Sequence, residues 1–296
     1  MNYVIIGNGP AGVIAAETLR KTDPSGNIVL IGDEPEPPYS RMAIPYLLVG
    51  GIQEQGTYLR KDKNHFEALG VEMIVARATR VDSANRQVML DNGRQLAYDR
   101  LLIASGAHPV APPIPGMDLP GVYPCWTMEN ARYIAERLKP GARVLQMGAG
   151  FIGCIIMEAL ANSGVKLTVV EMGNRMVPRM MTEGAGGLIK KWVQSKGIQV
   201  FTSTRVESIE KGTGGALRVK LSNGEVMEFD LVISATGVRS NVSFLEGSGV
   251  NTDEGVLVDD QMCSNVPEIF AAGDVAQACD FSTGKMMVNA IQPNAA

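Results

Sequence analysis

Histidine is nearly missing from this 296-residue chain: only His65 and His108 occur, which argues against a His-based metal centre. Cysteine is scarce as well. The four residues Cys125, Cys154, Cys263 and Cys279 lie far apart and form no CxxC or metal-type pair, so no metal site is expected. Scattered thiols in a chain of this size read as free thiols in a reducing compartment. No apolar run approaches the ~18 residues that a membrane span needs, and the most apolar helix candidate carries Glu158. Neither sign of charge dominates: 27 Lys and Arg stand against 31 Asp and Glu, a net charge of -4. That balance leaves no basic footprint for nucleic acid and no polybasic patch for a membrane surface. Met1 runs almost directly into Tyr3-Val4-Ile5-Ile6, with no basic leader and no cleavage site, so no secretory signal is expected and the chain reads as cytoplasmic.

What is present is a core-forming composition with one outlier. Hydrophobic residues make up 45% and charged residues 20%, enough to bury about two ordinary domains. Glycine is in surplus, at 33 residues, where about 7% of a chain is typical. Without a collagen-like period, those glycines must serve backbone geometry at particular places.

The chain repeats itself. Gly7-Asn8-Gly9-Pro10-Ala11-Gly12 recurs as Gly148-Ala149-Gly150-Phe151-Ile152-Gly153, and Gly70-Val71 as Gly197-Ile198. Thr79-Arg80-Val81 recurs as Thr204-Arg205-Val206, and Asp91-Asn92-Gly93 as Ser222-Asn223-Gly224. Ala104-Ser105-Gly106-Ala107 recurs as Ala235-Thr236-Gly237-Val238. Five landmarks in one order imply two copies of one plan. Each copy reads as strand, glycine turn, helix and strand: 2–6, 10–22 and 28–31, then 143–147, 151–163 and 165–171. A hairpin with a two-residue Asn-Gly turn follows in each, with positive φ expected at the turn. Each copy closes on an apolar strand, Leu101-Leu102-Ile103 or Leu231-Val232-Ile233. Four prolines between 108 and 116 read as a stiff linker. The tail has strand-like Val256-Leu257-Val258 and Ile269-Phe270-Ala271-Ala272 and no partner in the repeat, so it returns to the first domain. The fold class expected is α/β, with two Rossmann-like three-layer (ββα) domains: 1–112 with 239–296, and an inserted 113–238.

Each GxGxxG follows an apolar strand and opens an apolar helix, the context a dinucleotide site requires. The first glycine permits the tight turn, the second lets backbone approach a pyrophosphate, and the third lets helix and strand pack closely. The helix N-terminus supplies free N–H groups and partial positive charge. Pro10 and Ala11 complete the first motif, Phe151 and Ile152 the second. An acid should end the next strand and hold a ribose hydroxyl. Asp33, with Glu34 beside it, lies 21 residues after Gly12, and Glu171 lies 18 after Gly153. A carboxylate at Glu171 favours NADH over NADPH, although Arg175 and Arg179 nearby leave a 2′-phosphate open.

With these motifs the chain resembles the two-dinucleotide-binding flavoproteins, the FAD/NAD(P)H-dependent pyridine nucleotide-disulfide oxidoreductase family that includes ferredoxin and rubredoxin reductases, coenzyme A-disulfide reductase and NADH oxidases. The resemblance implies FAD at the first motif and NAD(P)H at the second. It implies that Asp274, in Ile269-Phe270-Ala271-Ala272-Gly273-Asp274-Val275, contacts the FAD ribityl chain. It also implies that the turns Ala104-Ser105-Gly106 and Ala235-Thr236-Gly237 bring backbone to cofactor. Val81 matches a backbone contact to adenine, and Arg41 a contact near the FAD pyrophosphate.

The departures narrow the function. Met42 stands where the coenzyme A-disulfide reductase branch carries its redox cysteine, and a thioether cannot exchange disulfides. Tyr46 and Ile155 stand where the ferredoxin reductase branch pairs a Lys with a Glu beside the flavin; losing both charges together is self-consistent. Tyr46 is therefore read either as a group near the flavin or as an ordinary core aromatic. Cys154 reads as a small hydrophobe. Asn289-Ala290-Ile291-Gln292-Pro293-Asn294-Ala295-Ala296 resembles the start of a helix facing the flavin pyrimidine, so a truncated member is expected, dimeric only if a further interface domain is present.

The expected activity is an FAD-dependent NADH oxidoreductase passing hydride from NADH to flavin N5 and electrons to a small redox protein, a quinone or a similar acceptor. Two alternatives stay open. One is a disulfide or CoA-persulfide reductase or NADH oxidase using a displaced cysteine; the other is an NADH-binding flavoprotein with a sensing or interaction role.

Overall fold

The computed structural model describes residues 1–288; the helix start read at residues 289–296 lies outside them. The chain divides into two compact units. The first comprises Met1–Ser40, Tyr58–His108 and the described residues from Arg239 onward; the second comprises Arg41–Thr57 and Pro109–Val238. Residues 41–57 and 109–112, grouped by sequence with the first unit, fold with the second.

Each unit is built on a five-stranded parallel sheet. In the first unit the spatial order is Ile269–Ala271, Arg100–Ile103, Asn2–Ile6, Asn27–Gly32, Val71–Val75. The chain starts mid-sheet, moves outward through Asn27–Gly32 to Val71–Val75, and then resumes on the other side of Asn2–Ile6. The last strand comes from the tail, which the sequence assigned to this unit. In the second unit the order is Gln199–Phe201, Lys166–Val170, Arg143–Met147, Leu231–Ser234, Val122–Pro124. Strands covered on both faces need apolar residues at every position, which explains runs such as Val4-Ile5-Ile6 and Ile28-Val29-Leu30-Ile31.

The two faces of the first sheet separate by alternation. Ile5, Ile28 and Leu30 pack with Val13 and Ala16 of the helix Pro10–Thr22. Val4, Ile6, Val29 and Ile31 pack with Val81, Val88 and Leu90 of an antiparallel three-stranded layer. That helix starts on Pro10, whose φ is preset for a first turn, and ends on Arg20 and Lys21, which suit the negative helix end. The second unit repeats the layering: Leu145, Met147, Val170 and Val232 face Ile209, Val219 and Phe229 of its own antiparallel layer.

Two local expectations change. In both hairpins only the glycine has positive φ, +83° at Gly93 and +89° at Gly224, while Asn92 and Asn223 do not. The loops are wider than two residues: Gly93 N donates to Leu90 O, and Leu90 N to Arg94 O, with the same pattern at Leu221, Gly224 and Glu225. A turn of that length needs the left-handed conformation only at its last position. The proline-rich stretch is not a free spacer either. Ile209 N donates to Pro115 O, and Ile114, Met117 and Leu119 pack on the second unit's core.

Candidate dinucleotide sites

In the first unit, three chain segments leave the sheet at one edge in continuous register. Gly7 N donates to Ile31 O at 2.8 Å, Ala104 N to Ile6 O at 2.7 Å, and Ala272 N to Ile103 O at 3.0 Å. This edge gathers Gly7, Gly9 and Gly12, the turn Ala104-Ser105-Gly106, Asp33 and Asp274 at the carboxyl ends of strands. The strand order reverses there, where open α/β sheets take their ligands.

The three glycines meet three different surroundings. Gly7 has φ +116°, and a Cβ on it would lie 2.0 Å from Ala104 O. A Cβ on Gly12 would lie 1.9 Å from Gly7 O. Both are required by the protein's own packing. Gly9 is the exception, because a Cβ there would meet nothing within 4 Å. Its bareness serves no internal contact, as expected where a ligand is to approach the backbone. Gly9 caps the helix without a side-chain bond, so the first-turn N–H groups face outward. Gly106, with φ +65°, is equally open.

The second turn repeats this geometry. A Cβ on Gly148 (φ +94°) would lie 2.3 Å from Ala235 O, and one on Gly153 2.6 Å from Gly148 O. Gly150 and Gly237 are open. The caps agree closely: φ -73°, ψ -173° at Gly9 and φ -73°, ψ -168° at Gly150. Phe151, exposed, and Ile152 begin the helix Phe151–Asn162.

The two acids are not equivalent, a difference that counting from the glycines hides. Gly148 N donates to Val170 O just as Gly7 N does to Ile31 O, so Glu171 matches Gly32 and Asp33 stands one residue further out. Glu171 is buried, and its carboxylate accepts from Ala149 N at 2.7 Å and from Gly173 N at 2.6 Å. It therefore braces the turn whose ligand it is expected to hold. Asp33 is exposed and pairs with Arg77 at 3.0 Å, while Glu34 accepts from the Tyr39 hydroxyl at 2.6 Å. Arg175 donates to Met181 O, Asn174 Oδ1 and Pro178 O within its own loop.

The remaining predicted residues spread more widely. Val81 is fully buried and pairs with Val88. Asp274 is half-buried and its carbonyl accepts from Ser240 Oγ at 3.0 Å. Arg41 lies in the second unit, its guanidinium 5.0 Å from the centre of the Trp126 ring. Tyr46, on the short helix Ile44–Leu48, is 63% exposed, so it is not a core aromatic.

Two residues escaped the sequence reading. Asn241 donates from its side chain to Ser105 O and accepts at its backbone from the Ser105 hydroxyl, both at 2.8 Å, clasping the first small-residue turn. Its partner lies 136 residues away, beyond any local pattern. Gln146, wholly buried under the second turn, is the other.

Three of the four thiols sit where burial disfavours the thiolate. Burial pushes Cys125 up to about 12, and burial followed by the Glu171 carboxylate raises Cys154. Cys263 is raised by desolvation, then by Asp259 and Glu268. All four cysteines are free.

A model of the pyridine nucleotide-disulphide oxidoreductase family matches residues 1–293. The chain belongs to that family. Its members are oxidoreductases that use FAD and NADH, and the two glycine turns fit such groups, since Gly9 and Gly150 leave open backbone at a helix N-terminus. Among similar proteins is the NADH-dependent phenylglyoxylate dehydrogenase subunit epsilon of Aromatoleum evansii, 32% identical over 294 residues, covering 99% of this chain and 69% of that one. A ferredoxin reductase from Rhodopseudomonas palustris shares the fold with a TM-score of 0.92 at 29% identity, over 99% of this chain and 73% of that one. An NAD-dependent persulfide reductase from A. fulgidus gives 0.94 at 31%, over 100% of this chain and 57% of that one. The stretch compared spans between 57% and 73% of the length of these three proteins. No helix among the described residues is long and apolar enough to cross a membrane.

Proposed function

We propose that this chain is an NADH-dependent flavoprotein reductase that hands electrons to a small redox protein or a comparable acceptor. The observation that carries it is the pair of open second glycines, Gly9 and Gly150, each set over a helix N-terminus at the edge of a parallel sheet. In this reading Gly7, Gly9, Pro10, Ala11 and Gly12 seat the FAD pyrophosphate, Asp33 or Glu34 takes its ribose, and Ala104, Ser105, Gly106, Val81 and Asp274 complete the contacts within the first unit. Gly148, Gly150, Phe151, Ile152, Gly153 and Gly237 seat NADH, with Glu171 on its ribose. NADH is preferred because a buried carboxylate repels a 2′-phosphate and Arg175 is engaged elsewhere. When bound, the cofactors supply the redox chemistry, hydride from the nicotinamide to flavin N5 and electrons onward, while the protein aligns and shields them. The ferredoxin reductase likeness and the raised thiols favour a redox protein over a disulfide as acceptor.

The test is an anaerobic NADH titration of the FAD-loaded protein, followed by visible absorption. Bleaching of the flavin within seconds is expected. A protein that takes up no FAD overturns the reading, and slow reduction with a long-lived NADH complex favours a sensing flavoprotein instead.

A further inference from the structure

The two glycine turns share their cap geometry but have different supports. Under the second lies Gln146, fully buried on the strand Arg143–Met147. Its Nε2 donates to Gly148 O at 2.8 Å and to Gly153 O at 3.0 Å, tying the first glycine of the motif to the third. Strand register places Ile5 at the matching position under the first turn: Ile6 pairs with Ile31 as Met147 pairs with Val170. Ile5 is fully buried, and its Cγ2 would sit 3.3 Å from a Cβ on Gly12.

Isoleucine is therefore enough to build the turn, since the cap angles of the two turns agree within a few degrees. Glutamine also carries a cost that isoleucine avoids: Gln146 Oε1 is buried with no hydrogen-bond partner among the described residues. Further ties converge on the same turn. Glu171 accepts from Ala149 N, and Val177 N donates to Ala149 O at 2.8 Å with Val177 held at φ +48°, a left-handed conformation unfavourable for a β-branched residue.

On the assignment of NADH to this turn, made above, we infer that Gln146 is a positioning residue that holds the second glycine turn in its binding geometry while the site is between ligands. A nucleotide that leaves after each turnover must find its pyrophosphate cradle already formed. A turn free to relax between visits would charge that ordering to every binding event. A resident cofactor stays in place and supports its own turn, which is consistent with an apolar Ile5 there.

The test is Gln146→Ile, with the nearly isosteric Gln146→Met as a second variant, in FAD-loaded protein. Three readouts are needed: NAD+ and ADP-ribose dissociation constants by calorimetry, the saturating rate of flavin reduction by NADH, and the thermal midpoint. Both nucleotides are expected to bind about three- to tenfold more weakly, the scale set by two ordinary hydrogen bonds. FAD content and the saturating rate should stay as in the parent, and the thermal midpoint should hold or rise as the orphan carbonyl is removed. Unchanged dissociation constants in both variants overturn the inference, as does a lower midpoint with unchanged binding. If the parent protein binds neither NAD+ nor ADP-ribose, the assignment of the turn itself fails, which is a separate result.

Discussion

Glu171 braces a turn of the fold, and the ribose role proposed for it would put a ligand on the same carboxylate. Its two oxygens accept from Ala149 N and Gly173 N, so the carboxylate stiffens the loop on both sides of the ribose position that the sequence assigns to it. Replacement by Ala removes that brace and the ribose acceptor at once. Glu171→Ala should weaken NADH by about tenfold or more, on the scale of a charge-assisted bond, and NADPH much less, because the same change relieves repulsion of the 2′-phosphate. Fluorescence titration with both nucleotides checks this; equal losses would refute the ribose role. The presence of an acid here is legible from spacing, but its depth is not. Glu171 and Asp33 look alike when counted from the glycines, and only strand register shows that they occupy different steps of the edge. Gln146 and Asn241 were invisible for a related reason: their meaning lies in carbonyls that one strand or one unit brings beneath them.

At the scale of elements, the glycine turns were the most legible part of the chain, because a backbone packed so closely that an added Cβ would lie about 2–3 Å from its neighbour leaves a mark in residue type that survives without coordinates. Structure adds a division of labour among those glycines, and it is testable. Gly12→Ala drives a methyl to 1.9 Å from Gly7 O, and Gly153→Ala drives one to 2.6 Å from Gly148 O. Both contacts are with backbone that cannot swing aside, so each change should lower stability by about 1–3 kcal/mol, the range for overpacking. Gly9→Ala and Gly150→Ala meet open space, so they should leave the apoprotein within about 0.5 kcal/mol of the parent. Each should nonetheless impair its own ligand, FAD for Gly9 and NADH for Gly150. Denaturant melts of apoprotein paired with ligand titrations separate the two effects. Equal destabilisation at all four positions would mean that the open glycines are structural as well. The hairpins and the proline stretch were less legible, since turn length and the packing of Ile114, Met117 and Leu119 depend on partners that local sequence does not show.

At the scale of the whole molecule, the open question is where electrons leave, because the family includes both a ferredoxin reductase and a persulfide reductase among the similar structures. Thiol chemistry needs a thiolate, and every shift resolved for this chain's cysteines runs the other way. Cys125 stands at about 12 because burial disfavours the charged form, and Cys154 is raised for the same reason with Glu171 adding to it. A thiol with a pKa of about 12 is thiolate at only about one part in 10⁵ at neutral pH, too little to sustain exchange. Met42 supplies no substitute, being a thioether. Individual replacement of Cys125, Cys154, Cys263 and Cys279 by Ala should therefore leave NADH-driven reduction of a one-electron dye within about twofold of the parent, provided FAD content is matched. In native protein at neutral pH, iodoacetamide should label exposed Cys279 and spare buried Cys125. Loss of acceptor reduction on replacing one cysteine, with flavin reduction by NADH intact, would reverse the argument and place a displaced redox thiol at that position.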